Sequence, residues 1–334
     1  MKNLQYYVAI FTLLLFFSCS EDDNNIKDYE NQIKSQKNKN RNTESLTILS
    51  YNIFHLPGIA LIKQYKEEER SKKQLQVLTK MAPSLDVIVF QEGFNHHVET
   101  HLFNKLKNIY PYNTVLVGQY CSANSNWDSI SGNCSNSMFV VNGGVRIFSK
   151  HPIDSKKQYV FNNSGFGTAD YYSNKGAAYV EVTKNGKKYH IVGTHLQADQ
   201  ENYNGSTVRI NQLKEIKNWV DSMDIPVSEP LIYAGDMNIE YTDTPSYTSM
   251  KSILNSKIYY SFNPSTDIGT YSNTNTLVNK EYPDYNNTLD YILISKDHKK
   301  PIYIPQMEVL QFVRDKEDLS DHNAIKATYR FNPS

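Results

Sequence analysis

From residue 46 to residue 331, apolar runs of strand length alternate with helical patterns, and nothing of linker composition interrupts them. "LTILSYNIF" (46–54), "LDVIVFQE" (85–92), "YNTVLVG" (112–118), "GGVRIFS" (143–149), "PLIYAGD" (230–236), "TLDYILIS" (288–295) and "NAIKATYRF" (323–331) predict strands. "EEERSKKQLQVLTKMA" (67–82), "NHHVETHLFNKLKNI" (95–109) and "TVRINQLKEIKNWVDSM" (207–223) predict helices. In "AAYVEVTKNGKKYHIVGTHL" (177–196), Asn185 and Gly186 separate two alternating runs and predict a hairpin. With no internal repeat, one α/β domain of many strands with helices between them is the economical solution.

Several of these runs carry a polar residue where the strand ends or begins. Asn52 lies in or at the end of the first strand, Glu92 closes the second, and His195 ends "IVGTHL". Asp236 and Asn238 end "YAGDMN", Asp290 opens "LDYILI", and Asp321 with His322 precedes the last strand. One such residue is ordinarily a cap or turn former. Six places supplying only Asn, Glu, His and Asp point to groups that satisfy one another, because a buried polar group without a partner is costly. Asp236 and Asn238 are two apart and would face the same side if the extended path continued through both; a turn is the alternative.

These residue types suit oxygen coordination of Mg²⁺. No Cys/His spacing for structural zinc, no "GxxxxGK" phosphate loop and no "GxSxG" nucleophile is present. Histidines beside such an ion fit attack of water on a phosphate ester. Lys plus Arg equals Asp plus Glu at 35 each, so no overall basic excess indicates nucleic acid.

The first 45 residues read differently. Lys2, the apolar run from Tyr6 to Phe17 and "SCSEDDNN" predict an export signal too short to span a membrane comfortably. "FFSC" resembles a bacterial lipoprotein signal, departing from it at Phe16. That resemblance implies a signal over residues 1–19 and lipid on Cys19, holding the protein to its own cell envelope, with plain secretion as the alternative. Residues 20–45 have the polar, charged composition of a disordered tether. Lipid on Cys19 leaves Cys121 and Cys134 as an even pair, and export favours a disulfide between them over two free thiols.

The set "YNIF", "QEGF", "GTHLQA", "GDMN", "LDYI" and "SDHNAI", in this order, resembles the endonuclease/exonuclease/phosphatase superfamily over residues 46–331. "SNKGAAYVEVTKNGKKYHIVGTHLQA", "NGGVRIFSKHPI" and the Cys-bounded loop bring it nearest to the bacterial neutral sphingomyelinases. The resemblance implies a deoxyribonuclease I-like four-layer α/β sandwich: two mixed sheets flanked by helices. It implies a monomeric phosphodiesterase that cleaves sphingomyelin, or another phosphodiester lipid headgroup, to ceramide and phosphocholine. Mg²⁺ is the implied cofactor, with Mn²⁺ or Co²⁺ as substitutes. Glu92 would bind it, with Asn52 and Asp321 close to the ion. His322 would be the general base, Asp236 and Asn238 would face the scissile phosphate, His195 would help stabilise its charge, and Asp290 would support one of the histidines. A secreted nuclease or another phosphoester hydrolase is the alternative, and a binding lipoprotein with an inactive site the third. Haemolytic relatives carry an aromatic-tipped hairpin before the Asp-His motif. Here "VRDKEDL" (313–319) is charged and predicts no membrane entry through that hairpin.

Overall fold

The computed structural model describes residues 44–57, 65–122 and 126–333. The signal, Cys19 and nearly all of the tether lie outside them, as does most of the apolar stretch "HLPGIALI" (55–62). Among the described residues no helix is long and apolar enough to cross a membrane. Residues from Glu44 to Asn332 form one compact unit.

In chain order the strands of the two large sheets are β1 (Glu44–His55), β2 (Val87–Gly93), β3 (Tyr112–Asn113), β4 (Ser129–Gly132), β5 (Arg146–Ser149), β6 (Ile153–Val160) and β7 (Gly176–Lys184). There follow β8 (Lys187–His195), β9 (Leu231–Asp236), β10 (Ser256–Lys257), β11 (Asp290–Ser295), β12 (Glu308–Leu310) and β13 (Ala324–Phe331). One sheet has the order β12-β13-β1-β2-β5-β3 and the other β10-β11-β9-β8-β7-β6-β4. Both are mixed: β1 runs parallel to β2 and β8 parallel to β9, while the β1/β13 and β9/β11 pairs are antiparallel.

Alternation along the strands divides the core into layers. Leu46 and Ile48 of β1, Val87 and Val89 of β2, Ile191 of β8, Ile232 and Ala234 of β9 and Ile292 of β11 meet between the sheets. The opposite face of the first sheet, with Leu49, Tyr51 and Phe90, packs under helix α1 (Glu67–Met81) and the helical segment 96–106. The outer face of the second sheet, with Tyr179, Val192 and Tyr233, is covered by α2 (Ser206–Asp221) and α3 (Thr244–Ile253). The result is the four-layer sandwich that the resemblance implies.

Local chemistry explains the ends of these elements. Glu67, Glu68 and Glu69 occupy the first turn of α1, where the helix dipole favours acids, and pairs such as Glu69–Lys73 follow at helical spacing. The Asp243 side chain caps α3 by accepting from the Ser246 N–H at 3.3 Å, ahead of Pro245 in the first turn. Asn185 and Gly186 take φ of 53° and 75°, the left-handed pair a tight hairpin turn requires, and join β7 to β8.

Two predicted elements come out differently. The helix predicted over 95–109 is interrupted by a π turn over Glu99–Phe103. The strand predicted over 112–118 pairs regularly only at β3; beyond it, single hydrogen bonds from Thr114 and Val117 hold an irregular stretch beside β5. Cys121 and Cys134 are bridged, with Cα atoms 5.4 Å apart. A closed loop of this size contributes on the order of 3 kcal/mol by restricting the unfolded chain.

Candidate active site

The polar strand ends predicted from sequence converge at one end of the sandwich. In the second sheet, His195 stands in register with Asp236, and Asp236 with Asp290, so three adjacent strands present them side by side. Each has the same parity as the inward-facing residues of its strand: Ile191 on β8, Ile232 and Ala234 on β9, Ile292 on β11. Gly235 permits this close pairing, because a Cβ there would lie 2.0 Å from the Thr194 carbonyl oxygen.

Asn52 comes from the first sheet, sharing the parity of Leu46 and Ile48. Its Nδ2 donates to Glu92 Oε1 and to Asp236 Oδ2, both at 3.0 Å, so one amide spans the two sheets. Glu92 does not follow alternation, which would direct it outward with Ile88 and Phe90. It adopts φ 58°, an uncommon left-handed conformation for a side-chain-bearing residue, and the chain turns at that point. Buried Glu92 Oε2 has no hydrogen-bond partner among the described residues. Burial, reinforced by the Asp321 charge, pushes the Glu92 carboxyl up to about 7. Asp321 is raised for the same first reason, burial.

His322 Nδ1 lies 2.8 Å from Asp290 Oδ2, and His322 Nε2 lies 3.7 Å from Asp236 Oδ2. Asp290 therefore orients His322, not His195. Burial works against a charged imidazole here, yet Asp290, Asp236 and Asp321 outweigh it and hold His322 well above its ordinary value. Burial raises Asp290 to about 6. Ser320 ties the segment before β13 to β1: its hydroxyl donates to the Asn52 carbonyl at 2.7 Å and accepts from the His322 N–H at 3.2 Å.

Asn238 departs from the extended path considered for it. The strand ends at Asp236, Asn238 turns to φ 49°, and its N–H donates to Asp236 Oδ1 at 2.9 Å. The turn alternative thus describes its backbone, while its side chain remains beside the site, donating to the Leu196 carbonyl at 3.1 Å.

Lys175 and its partner Asp170, like Ser320, are absent from the predicted set and also belong to this end. Lys175 is buried, with Nζ 3.2 Å from His195 Nε2, 3.0 Å from the Leu196 carbonyl and 2.7 Å from Asp170 Oδ2. His195 Nε2 faces an ammonium and so acts as acceptor; burial, then Lys175, lowers the His195 pKa to about 3. Beside Lys175 a polar cleft is lined by Asn133, Ser135, Asp170, Tyr171 and Gln197. "SNKG" contains Lys175, but a lysine before a strand is ordinarily a solvated residue, and no local signal marks this one as buried.

The surroundings of the site differ in character. Residues 313–318 form a short hairpin with Asp315 and Lys316 at its turn, and Asp315 pairs with Lys73 at 2.8 Å, so this hairpin is charged as predicted. Exposed aromatic side chains gather elsewhere. Phe166, Tyr171 and Tyr172 form a chain of edge contacts with centroids 5.2 and 5.4 Å apart. Tyr171 and Tyr172 directly follow Asp170, the partner of Lys175.

The model of the endonuclease/exonuclease/phosphatase family matches residues 49–322. Sphingomyelinase C 2 of Leptospira interrogans (serogroup Icterohaemorrhagiae, serovar Lai) is 36% identical over 284 residues, which are 82% of this chain and 43% of that protein. The chain thus spans less than half the length of that relative. Sphingomyelinase C of Bacillus cereus is 35% identical over 318 residues, covering 89% of this chain and 91% of the relative. Beta toxin from Staphylococcus aureus, in a crystal structure with bound magnesium ions, superposes with a TM-score of 0.73 at 30% identity, covering 86% of this chain and 99% of that one. The architecture is accordingly the deoxyribonuclease I-like fold.

Proposed function

This chain belongs to the endonuclease/exonuclease/phosphatase family, alongside bacterial sphingomyelinases, and on that premise we propose that it hydrolyses the phosphodiester of sphingomyelin to ceramide and phosphocholine. The observation that carries the proposal is the convergence of Glu92, Asn52, Asp236 and the Asp290–His322 pair from both sheets into one buried cluster.

The cluster fits a divalent cation. Glu92 offers an unpartnered buried oxygen, and several carboxylates lie together at a cost that a cation relieves. Glu92 and Asp321 would hold Mg²⁺ through oxygens, the donor type that ion prefers. Asn52 commits both amide hydrogens to Glu92 and Asp236, so it aims the carboxylates while its Oδ1 faces the Phe54 N–H at 3.1 Å. When bound, the ion supplies positive charge to the phosphoryl oxygens and favours the neutral, basic form of His322.

The remaining work belongs to the chain. Asp290 fixes the His322 ring through Nδ1, leaving Nε2 to take the proton from water as it attacks phosphorus. The bond from phosphorus to the ceramide oxygen breaks as the new one forms, and the departing oxygen takes a proton from solvent to become the ceramide hydroxyl. Asn238 and Asp236 bound the phosphate position. On the other side Lys175 supplies the cationic charge and donates to His195, so the pair takes the stabilising role expected of His195 alone. Phe166, Tyr171 and Tyr172 give this end aromatic side chains of the kind favoured at a lipid–water boundary. Export and lipid attachment at Cys19 belong to the same proposal, supported by the signal-like N-terminus.

The test is hydrolysis of sphingomyelin, phosphatidylcholine and plasmid DNA by the purified chain in Mg²⁺ and then in EDTA. Phosphocholine release from sphingomyelin that stops with EDTA is expected. Cleavage of DNA in preference to sphingomyelin would overturn the proposal in favour of a nuclease.

A further inference from the structure

Away from the active site, α1 and the helical segment 96–106 present three ligating side chains to one another. Glu68 lies on the exposed side of α1, and His97 and His101 are four residues apart on the facing segment. One donor atom from each lies within 4.8 Å of the other two. His101 Nε2 is 3.5 Å from Glu68 Oε1, and the two imidazole rings are nearly parallel at 14°. A tetrahedral ion with bonds of about 2.0–2.1 Å sets its ligand atoms about 3.3 Å apart, so small side-chain rotations close the set. His101 sits within the π turn, a distortion concentrated at functional sites.

We propose that Glu68, His97 and His101 form a second metal site, for Zn²⁺ or a similar borderline ion, with water completing its coordination. Two imidazoles and one carboxylate favour such ions over Mg²⁺, which distinguishes this site from the oxygen-rich centre around Glu92. The bound ion staples α1 to segment 96–106, and both elements support the catalytic end. Arg70 and Gln74 of α1 donate to the Ile53 and Leu319 carbonyls, beside Asn52 and Ser320. Segment 96–106 follows closely on Glu92. Lys72 competes for Glu68 at 2.6 Å, but the pair is exposed and therefore weak.

The experiment is thermal unfolding of the untagged chain in saturating Mg²⁺, with and without Zn²⁺, alongside calorimetric titration. Zn²⁺ at about tenfold its Kd should raise the Tm by about 2 °C. His97→Ala, His101→Ala and Glu68→Gln should lose that rise while retaining Mg²⁺-dependent hydrolysis. Lys72→Ala should bind Zn²⁺ about two- to fivefold more tightly, because the competing ion pair is gone. No rise in the wild type, or an equal rise in the histidine variants, would overturn the site. Because the readout is thermal, failure here is distinguishable from failure of the sphingomyelin proposal.

Discussion

Asn52, on a strand of the first sheet, donates at 3.0 Å to Asp236, on a strand of the second, 184 residues away in sequence. Its other donation fixes Glu92. The site therefore exists only when the two sheets close on one another. Hydrogen bonds to charged groups contribute about 1.5–3 kcal/mol each, and removing a donor leaves buried carboxylates facing without it. Asn52→Ala should lower kcat/KM by roughly 10²-fold and reduce the Tm, on the scale of two such bonds. Asn52→Asp should be worse, since it adds a third carboxylate. Steady-state kinetics with thermal melts is the check; wild-type turnover in Asn52→Ala would make the bridge incidental.

His322→Ala should lose about 10²- to 10⁴-fold in kcat while remaining folded, the range for removal of a general base. Asp290→Asn gives the sharper test. Taking away this carboxylate removes a charge that raises the His322 pKa, so the acidic limb of the pH–kcat/KM profile should move to lower pH as kcat falls. An unmoved limb would mean that Asp290 does not act through His322.

Lys175→Met should reduce kcat by roughly 10-fold or more, because the ammonium, whose three hydrogens go to Asp170, His195 and the Leu196 carbonyl, acts on developing charge through His195 and through its own positive charge. The variant also strands the Asp170 carboxylate, which is paired with Lys175 at 2.7 Å. Adding Asp170→Asn should restore stability without restoring turnover. If the double variant regains activity, Lys175 is structural rather than catalytic.

Acid should destabilise the fold through a buried imidazole. His55 is buried against Gln74 at 2.8 Å, and burial, then Arg70, lowers its pKa to about 3. The unfolded chain, with His near 6.5, binds more protons between these values, so stability rises with pH across that window and is lost as pH falls through it. This one group should cost about 2 kcal/mol at pH 5 relative to pH 8. His195, lowered to a similar value, acts in the same direction, whereas raised Glu92, Asp290 and His322 act in the opposite one. The check is therefore the difference between variants: denaturant melts at the two pH values should show a pH dependence in His55→Gln that differs from the wild type by the contribution of this one group. An equal slope in the variant would assign the loss elsewhere.

Phe166→Ala combined with Tyr172→Ala should weaken turnover on sphingomyelin vesicles several-fold more than on detergent micelles, because interfacial aromatics matter where lipid is packed. Vesicle co-sedimentation checks the same point directly. Equal losses on both substrates would show that these rings do not meet the bilayer.

The sequence by itself determined a single α/β domain of many strands and most of the site's direction, while the sandwich was implied by the family resemblance of its motifs. Alternation along a strand is a local steric property, so the inward parity of Ile48 carries to Asn52, that of Ala234 to Asp236 and that of Ile292 to Asp290. The Asn-Gly turn between β7 and β8 was legible for the same reason, since φ above zero is a property of two adjacent residues. Tertiary structure decided the rest. Glu92 breaks the alternation through a left-handed backbone that neighbouring contacts must impose. Asp290 selects His322 because their strands meet at that end. Lys175 became part of the site because folding buries its ammonium between Asp170 and His195, and the electrostatics of burial depend on contacts distant in sequence.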